Sequence, residues 1–407
     1  MAIGFSNIPA DIRVPLFYAE MDSSAANSAS SAMRRLIVAQ VNDDAESESL
    51  GKLVLVSSLA IAKSVAGQGS MLAAMYETWR KVDPIGEIWC LPLQNETGES
   101  ASATITITGA AATEAGLLNL YIGGVRVQSV VASAATPTIA AAALAVKINA
   151  TPDLPVTAAA AAGVVTLTCK WTGESGNDIS IQMNRLGKSN GESTPAGLTV
   201  VTTAMTAGVG APDVVDAIAA LGDEPFEFLC QPWSDTTTLN AWKDAMDDNT
   251  GRWSWAKQLF GHVYTAKRGT IGTLVAAGQV RNDQHMTIQG VEPGVPQPVW
   301  VQAASLAART AVFISADASR PTQSGSMPGI DPAPASDRFT LTERQSLLNY
   351  GIATSYYEGG YVRIQRSITT YQKNAYGQAD NSYLDSETMH QSAFIVRRMR
   401  SVITSKY

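Results

Sequence analysis

The chain has 407 residues, 45% of them hydrophobic and 16% charged, and Lys+Arg 29 against Asp+Glu 36 leaves a net charge of −7. That length implies two to four domains of about 100–200 residues, and the apolar content excludes a disordered tail protein. The acidic balance argues against a nucleic-acid partner, which needs a basic face, and three scattered cysteines (Cys90, Cys169, Cys230) argue for a reducing compartment with no disulfide framework.

The start, Met1-Ala2-Ile3-Gly4-Phe5, lacks the pattern of a signal peptide. No apolar run reaches the roughly 18 residues of a membrane span, so no membrane insertion is expected. Residues 1–30 read as an arm and linker. Pro9 and Pro15 bias their predecessors towards extended geometry between Ile8 and Tyr18, and a Ser/Ala/Asn stretch follows at 23–31. In an extended arm Ile12, Val14, Leu16 and Tyr18 alternate onto one side, which makes them candidates for a strand added to a neighbour's sheet.

Strands and helices then alternate. Residues 36–41 and 52–56 are short apolar runs suited to buried strands, and Ser70 can cap a helix whose Met71, Met75, Trp79 and Val82 share one face. Gly67-Gln68-Gly69 reads as the C-cap of one helix followed by a new N-cap. A strand at 86–91 follows. The same grammar resumes with strands at 226–230, 258–264 and 285–289 and helices at 236–247 (capped by Asp235), 270–278 and 299–313. This pattern predicts a mostly parallel sheet covered on both faces.

Between these halves the composition shifts to Ala, Thr, Val and Gly. Residues 97–205 carry β-runs at 104–108, 117–122, 125–131, 164–169, 179–183 and 198–203, a two-residue hairpin turn at Gly123-Gly124 and one helix at 138–149. The expected fold class is α/β and β: a discontinuous α/β domain (31–96 and 206–320) carrying an inserted, surface-exposed, mostly-β domain (97–205) with few large apolar anchors. A Pro-rich linker (321–337) leads to an α+β C-terminal domain (338–407) with a short helix from Thr342 to Tyr350, β-runs at 361–365 and 367–372, and a long helix at 385–401.

Catalytic patterns are thin. Gly69-Ser70-Met71 and Gly325-Ser326-Met327 resemble the small-residue loop around a subtilisin nucleophile, and the segment after Arg268 resembles the helix that carries the subtilisin histidine. Arg268 stands where that histidine belongs, and a guanidinium cannot act as a general base. Ser70 therefore reads as an N-cap and Ser326 as a linker residue, with no catalytic residue assigned. His262, His285 and His390 lie far apart with no ligand-spaced neighbour, and Asp244, Asp247 and Asp248 read as a solvated helix end. Neither a P-loop nor a dinucleotide fingerprint is present, so no metal and no cofactor are expected.

In the last unit, Glu343-Arg344-Gln345 with Gly351-Ile352-Ala353-Thr354, then Arg366-Ser367-Ile368-Thr369-Thr370-Tyr371-Gln372-Lys373-Asn374, Tyr376-Gly377 and Asp380-Asn381-Ser382-Tyr383-Leu384-Asp385, resembles the tail sheath proteins of Mu-like contractile-tailed phages. Ile8-Pro9-Ala10-Asp11-Ile12-Arg13-Val14-Pro15 and Gly67-Gln68-Gly69-Ser70-Met71-Leu72 are similar to the same family. The resemblance implies a non-enzymatic structural protein of the virion, assembled in the host cytoplasm. Its central domain would be subtilisin-like in fold only, and its termini would exchange strands with neighbouring copies. The implied partners are further copies stacked as sheath rings, the tail tube protein, and the baseplate and tail terminator proteins. Contraction of such a sheath serves host genome ejection. Family members continue past the long helix, so a chain ending at Tyr407 is expected to be truncated or a short variant. Two other readings stay open, a subtilisin-like serine hydrolase and a virion surface-binding module.

From Ser336 onwards nine Lys/Arg stand against six Asp/Glu, a net +3 that leaves −10 for the rest. Arg397, Arg398, Arg400 and Lys406 gather that charge at the final helix. Since the resemblance places the sheath–tube contact in this unit, these four are the tube-interface candidates.

Overall fold

Parallel neighbours need a crossover between them, and each crossover helix must bury its apolar stripe on one face of the sheet. The computed structural model describes residues 33–404 apart from Glu46 and Glu96, and the chain divides into two units: Met33–Ala393, and a second that includes residues 394–404. The first unit begins with β1 (Arg35–Gln40), a two-residue β2 (Val54–Leu55), α1 (Leu59–Ala66), α2 (Met71–Val82) and β3 (Ile88–Leu93). Next come β4 (Ser100–Gly109), β5 (Gly116–Ile122), β6 (Val125–Val131), α3 (Pro137–Asn149), β7 (Val156–Ala161), β8 (Val164–Thr172), β9 (Ile181–Met183) and β10 (Leu198–Thr202). Then follow α4 (Val214–Ala219), β11 (Phe228–Cys230), α5 (Thr236–Met246), β12 (His262–Arg268), α6 (Ile271–Gln279), β13 (Met286–Val291) and α7 (Val299–Ala316). The chain closes with α8 (Leu341–Asn349), β14 (Thr354–Glu358), β15 (Tyr361–Arg366) and α9 (Ser386–Thr404).

The largest sheet has the order β13-β12-β11-β1-β3-β2, and every pair in it is parallel except β2 with β3. Alternate residues of β1 serve opposite layers, as the period of two requires. Ile37 and Ala39 pack with Met71, Met75 and Trp79 of α2 and with the small residues of α7. Leu36 and Val38 pack with Val214 of α4, Trp242 of α5 and Leu274 of α6. α7 is by length and composition long and apolar enough to cross a membrane, but 67% of it is buried inside the protein, where it serves as the core helix of this layer.

Residues 100–202 form two antiparallel sheets, β10-β4-β8-β7 and β6-β5-β9. Gly123 (φ 56°) and Gly124 (φ 87°) turn β5 into β6 with Ile122 opposite Val125, as expected of a glycine pair in a primed turn. α3 packs on these sheets through Ala141, Leu144 and Ile148.

Three expectations need correction. The strand expected at 258–264 begins at His262, because Gln258 has a positive φ of 53° and a Cβ on Gly261 would sit 2.1 Å from the Phe226 carbonyl oxygen. The run 367–372 forms no strand: Thr369 N–H donates to the Leu384 carbonyl (2.8 Å) and Thr370 N–H to that of Met286 (2.9 Å), so its backbone is divided between two segments. The partner of β15 is instead β14. The Pro-rich stretch is extended as expected but packed, with Met327 and Ala333 buried and Met327 N–H bonded to Val362 O at 2.9 Å.

Candidate functional site

Ser70 is the N-cap of α2: its Oγ accepts from Ala73 N–H at 3.2 Å, and its side chain is fully buried. Ser326 holds Arg309, whose Nε donates to its carbonyl at 2.7 Å. Among the described residues neither serine is hydrogen-bonded to a histidine; His262 Nε2 lies 2.8 Å from Thr287 Oγ1. A nucleophile needs a base within hydrogen-bond reach, and this arrangement provides none.

Arg268, at the position expected of a catalytic base, does structural work. Its Nε donates to Asp178 Oδ1 at 2.6 Å and its Nη2 to Asp178 Oδ2 at 3.2 Å, a bidentate pair. The remaining guanidinium hydrogens reach the carbonyls of Val295 (2.6 Å) and Gln297 (2.7 Å). Asp178 Oδ2 also accepts from Val299 N–H at 2.7 Å. α7 starts after Pro298, which has no capping side chain, so a carboxylate from the 97–205 segment caps it from outside and meets the positive end of its dipole.

In open α/β sheets, ligands lodge beyond the carboxyl ends of the strands. Here protein takes part of that space, beside a cavity of about 540 Å³ lined by Ser70, Gly124, Trp171, Gln297 and Trp300. Beyond β1, Asp43 accepts from Thr172 N–H (3.1 Å) and Oγ1 (2.7 Å). Gln40 Nε2 donates to Thr172 O (2.8 Å), and Ser175 Oγ donates to Gln40 Oε1 (2.6 Å). Trp171 meets Trp300 of α7 edge-on at 5.7 Å. The segment that follows β8 is thus fastened to the end of β1.

The three histidines are not all far apart. His262 and His390, 128 positions distant in the chain, lie with ring centroids 5.6 Å apart and are both buried. The His285 ring lies tilted against Trp253 at 4.4 Å and bonds to Asp248 at 2.9 Å, a bond that holds the Asp248 carboxyl below its usual value. Asp248 and Asp247 are therefore engaged acceptors rather than merely solvated: Asp247 takes the N–H groups of Asn249 and Thr250. No group of three or more His, Cys, Asp or Glu positioned to hold a metal is found among the described residues.

Of the interface candidates, Arg397, Arg398 and Arg400 lie on α9 within 394–404; the first two are half-buried and Arg400 is exposed. At 100° per residue Arg397 and Arg400 stand about 60° apart and Arg398 lies to the other side of Arg397. The charge count overlooked an exposed stripe on the same helix, Ile395, Met399 and Ile403, legible as a four-residue spacing. Lys406 and the arm residues Ile12, Val14, Leu16 and Tyr18 lie outside the described residues.

Residues 207–370 match the phage tail sheath protein central domain. The chain is 35% identical over 410 aligned positions to the Mu-like prophage FluMu tail sheath protein of Haemophilus influenzae, covering 100% of this chain and 82% of that protein. Among solved structures, the sheath tail protein of Desulfitobacterium hafniense is similar with a TM-score of 0.48 at 12% identity, over 96% of this chain and 83% of that one. The anti-feeding prophage helical sheath in its contracted state is similar with a TM-score of 0.44 at 12% identity, over 96% and 77%.

Proposed function

The chain belongs to the tail sheath proteins of Mu-like phages, and from that premise we propose that its copies polymerise as stacked rings around a tail tube and contract to drive the tube through the host envelope. The observation that carries this reading is the full-length identity to the FluMu sheath protein, which leaves no large part of the chain outside the alignment. In this reading the protein resides in the virion after assembly in the host cytoplasm, and its contraction serves genome ejection. Tube, baseplate and terminator proteins are its partners.

Several features support a non-enzymatic role. The two candidate nucleophiles serve as a cap and as an arginine anchor, and residues 172–178 are tied to Asp43 and Arg268 at the carboxyl end of the main sheet. The energy of contraction then comes from repacked interfaces rather than a bound nucleotide. Even about 1.4 kcal/mol per subunit biases each step tenfold, and the bias multiplies over many subunits. Within the subunit, residues 31–96 and 206–320 form the sheath body, residues 97–205 face outward, and 338–407 face the tube. The arm at Ile12, Val14, Leu16 and Tyr18 links neighbours by strand addition. Arg397, Arg398, Arg400 and Lys406 grip an acidic tube through exposed pairs worth roughly 0–1 kcal/mol each, weak enough to release.

Co-expression of the chain with its tube protein, followed by negative-stain microscopy, tests the reading. Tubes sheathed along their length support it; a chain that stays monomeric beside bare tubes overturns it. Specific labelling of Ser70 or Ser326 by a fluorophosphonate would restore the hydrolase.

A further inference from the structure

A second cavity, of about 210 Å³, lies at the carboxyl end of β13, where Val291, Glu292 and Val295 line it together with parts of the Pro-rich stretch, α8 and the β14–β15 pair. That is the end of the strands at which open α/β sheets lodge ligands. Three side chains bring spare donors to it. Gln302 of α7 is 2% exposed and lines the cavity, and its side-chain amide makes no hydrogen bond among the described residues. Arg344 of α8 has its Nε buried without a hydrogen-bond partner. Arg338 spends one N–H, from Nε to the Ala333 carbonyl at 2.8 Å. Both guanidiniums are steered by aromatic rings of the same lining, Arg338 over Tyr357 at 4.5 Å and Arg344 over Tyr356 at 5.9 Å.

A buried donor left without an acceptor costs more than a made hydrogen bond gains, so these groups call for an anion. The fold supplies none that is free. Of the two carboxylates in the lining, Asp331 is committed to Arg185 at 3.0 Å and to the Gln297 amide at 3.2 Å. Glu292 accepts from Phe339 N–H at 2.8 Å. Burial pushes the Glu292 carboxyl up, against the pull of that N–H and of Arg338 and Arg344, which makes it a reluctant counter-ion. Asp337, next in sequence to Arg338, is exposed and takes the Ser336 hydroxyl at 2.9 Å.

Two guanidiniums facing one such carboxylate leave a positive charge that a single monoanion balances. The volume has room for roughly seven waters, below the range of about 300–1,000 Å³ typical of sites for drug-sized ligands. It is too small for a nucleotide and large enough for a short carboxylic acid or one acidic side chain. The planar fork of arginine matches the two oxygens of a carboxylate.

We propose that this cavity is a carboxylate-binding site in which Arg338, Arg344 and Gln302 hold one anionic group beside the Tyr356 and Tyr357 rings. The carboxylate belongs to a small organic acid or to an acidic side chain of a second copy, and the same donors receive either. The site is complete within residues 291–362 and does not depend on the sheath reading.

Isothermal titration calorimetry of the full chain with sodium succinate, inorganic phosphate and sodium chloride at matched ionic strength tests this. Succinate should bind saturably at one site, phosphate more weakly and chloride not at all. Arg344→Met and Gln302→Leu should each weaken succinate at least tenfold, with a thermal midpoint in the absence of succinate no lower than that of the wild type. Should Arg344→Met fail to fold, Arg338→Gln replaces it. Sedimentation velocity at rising protein concentration separates the sources. Self-association that succinate reverses and Arg344→Met abolishes assigns the occupant to a second copy, whereas a monomer that binds succinate assigns it to a free acid; either supports the site. Succinate binding that survives both variants, phosphate or chloride binding as tight as succinate, or no succinate binding together with self-association indifferent to Arg344→Met overturns the proposal.

Discussion

Replacing Arg268 by methionine removes the clasp between Asp178, the loop before α7 and the end of β12. The wild-type pair is largely buried, with side chains 18% and 19% exposed. Removing one partner of a buried pair costs about 3–5 kcal/mol when the other is left uncompensated. Asp178 keeps the Val299 N–H, and some water reaches it, so we expect about 2–3 kcal/mol. Arg268→Lys retains the charge but loses the fork that reaches the carboxylate and the Val295 and Gln297 carbonyls together, and should cost about 1–2 kcal/mol. Urea unfolding followed by tryptophan fluorescence measures both. In a double-mutant cycle with Asp178→Asn the coupling should be about 1–3 kcal/mol. A loss below about 0.5 kcal/mol for Arg268→Met, the range of an ordinary surface substitution, would refute the clasp, as would strict additivity with Asp178→Asn.

Ser70→Ala should lower stability by about 0.5–2 kcal/mol through the lost cap and leave tube decoration intact, checked by urea midpoint and microscopy. Gly69→Ala should destabilise far more than Gly51→Ala: both have positive φ, but a Cβ on Gly69 would lie 2.2 Å from the Leu154 carbonyl oxygen while Gly51 faces open space. For Gly51→Ala the cost should be about 1–2 kcal/mol, measured by the same unfolding midpoints. Burial raises the Asp283 carboxyl, so the native state binds its proton more tightly than the unfolded chain and ionisation destabilises the fold at high pH. Asp283→Asn should therefore gain stability over wild type at pH 8, a gain that shrinks as pH falls through the raised value; thermal melts across pH 4–8 read it. Excising 97–205 by joining Asn95 to Gly208 exposes Trp300 and strips Arg268 of Asp178, so the shortened chain should unfold at lower urea yet still decorate tubes. A folded excision product that fails to decorate would contradict the outward placement of this segment.

The parts of the fold legible in the chain are those fixed by local chemistry. α2 follows from four apolar side chains at helical spacing behind a serine cap, and the α1–α2 junction from two glycines that both adopt positive φ. That the main sheet is mostly parallel follows from alternation, but its strand order and the antiparallel β2 do not. β7 was hidden because Val-Thr-Ala-Ala-Ala-Ala has no strand preference of its own; its antiparallel pairing with β8 across a tight turn holds it. Conversely, Ser-Ile-Thr-Thr-Tyr-Gln reads as a strand, but tertiary hydrogen bonds to Met286 and Leu384 take its backbone. At Arg268 the sequence shows only that a guanidinium rather than an imidazole stands there. What that guanidinium does depends on Asp178, 90 positions away, and the buried contact of Glu227 with His390 joins residues 163 positions apart. No periodicity reports on pairs of that separation.

The most direct measurement of the central claim is a cryo-EM reconstruction of intact tails carrying this chain. The account predicts that residues 33–393 fit every subunit of a helical sheath, that residues 97–205 lie at the outer radius, and that Arg397, Arg398 and Arg400 lie nearest the tube. Density for the chain confined to the baseplate or fibres, with a sheath built of another protein, would contradict it.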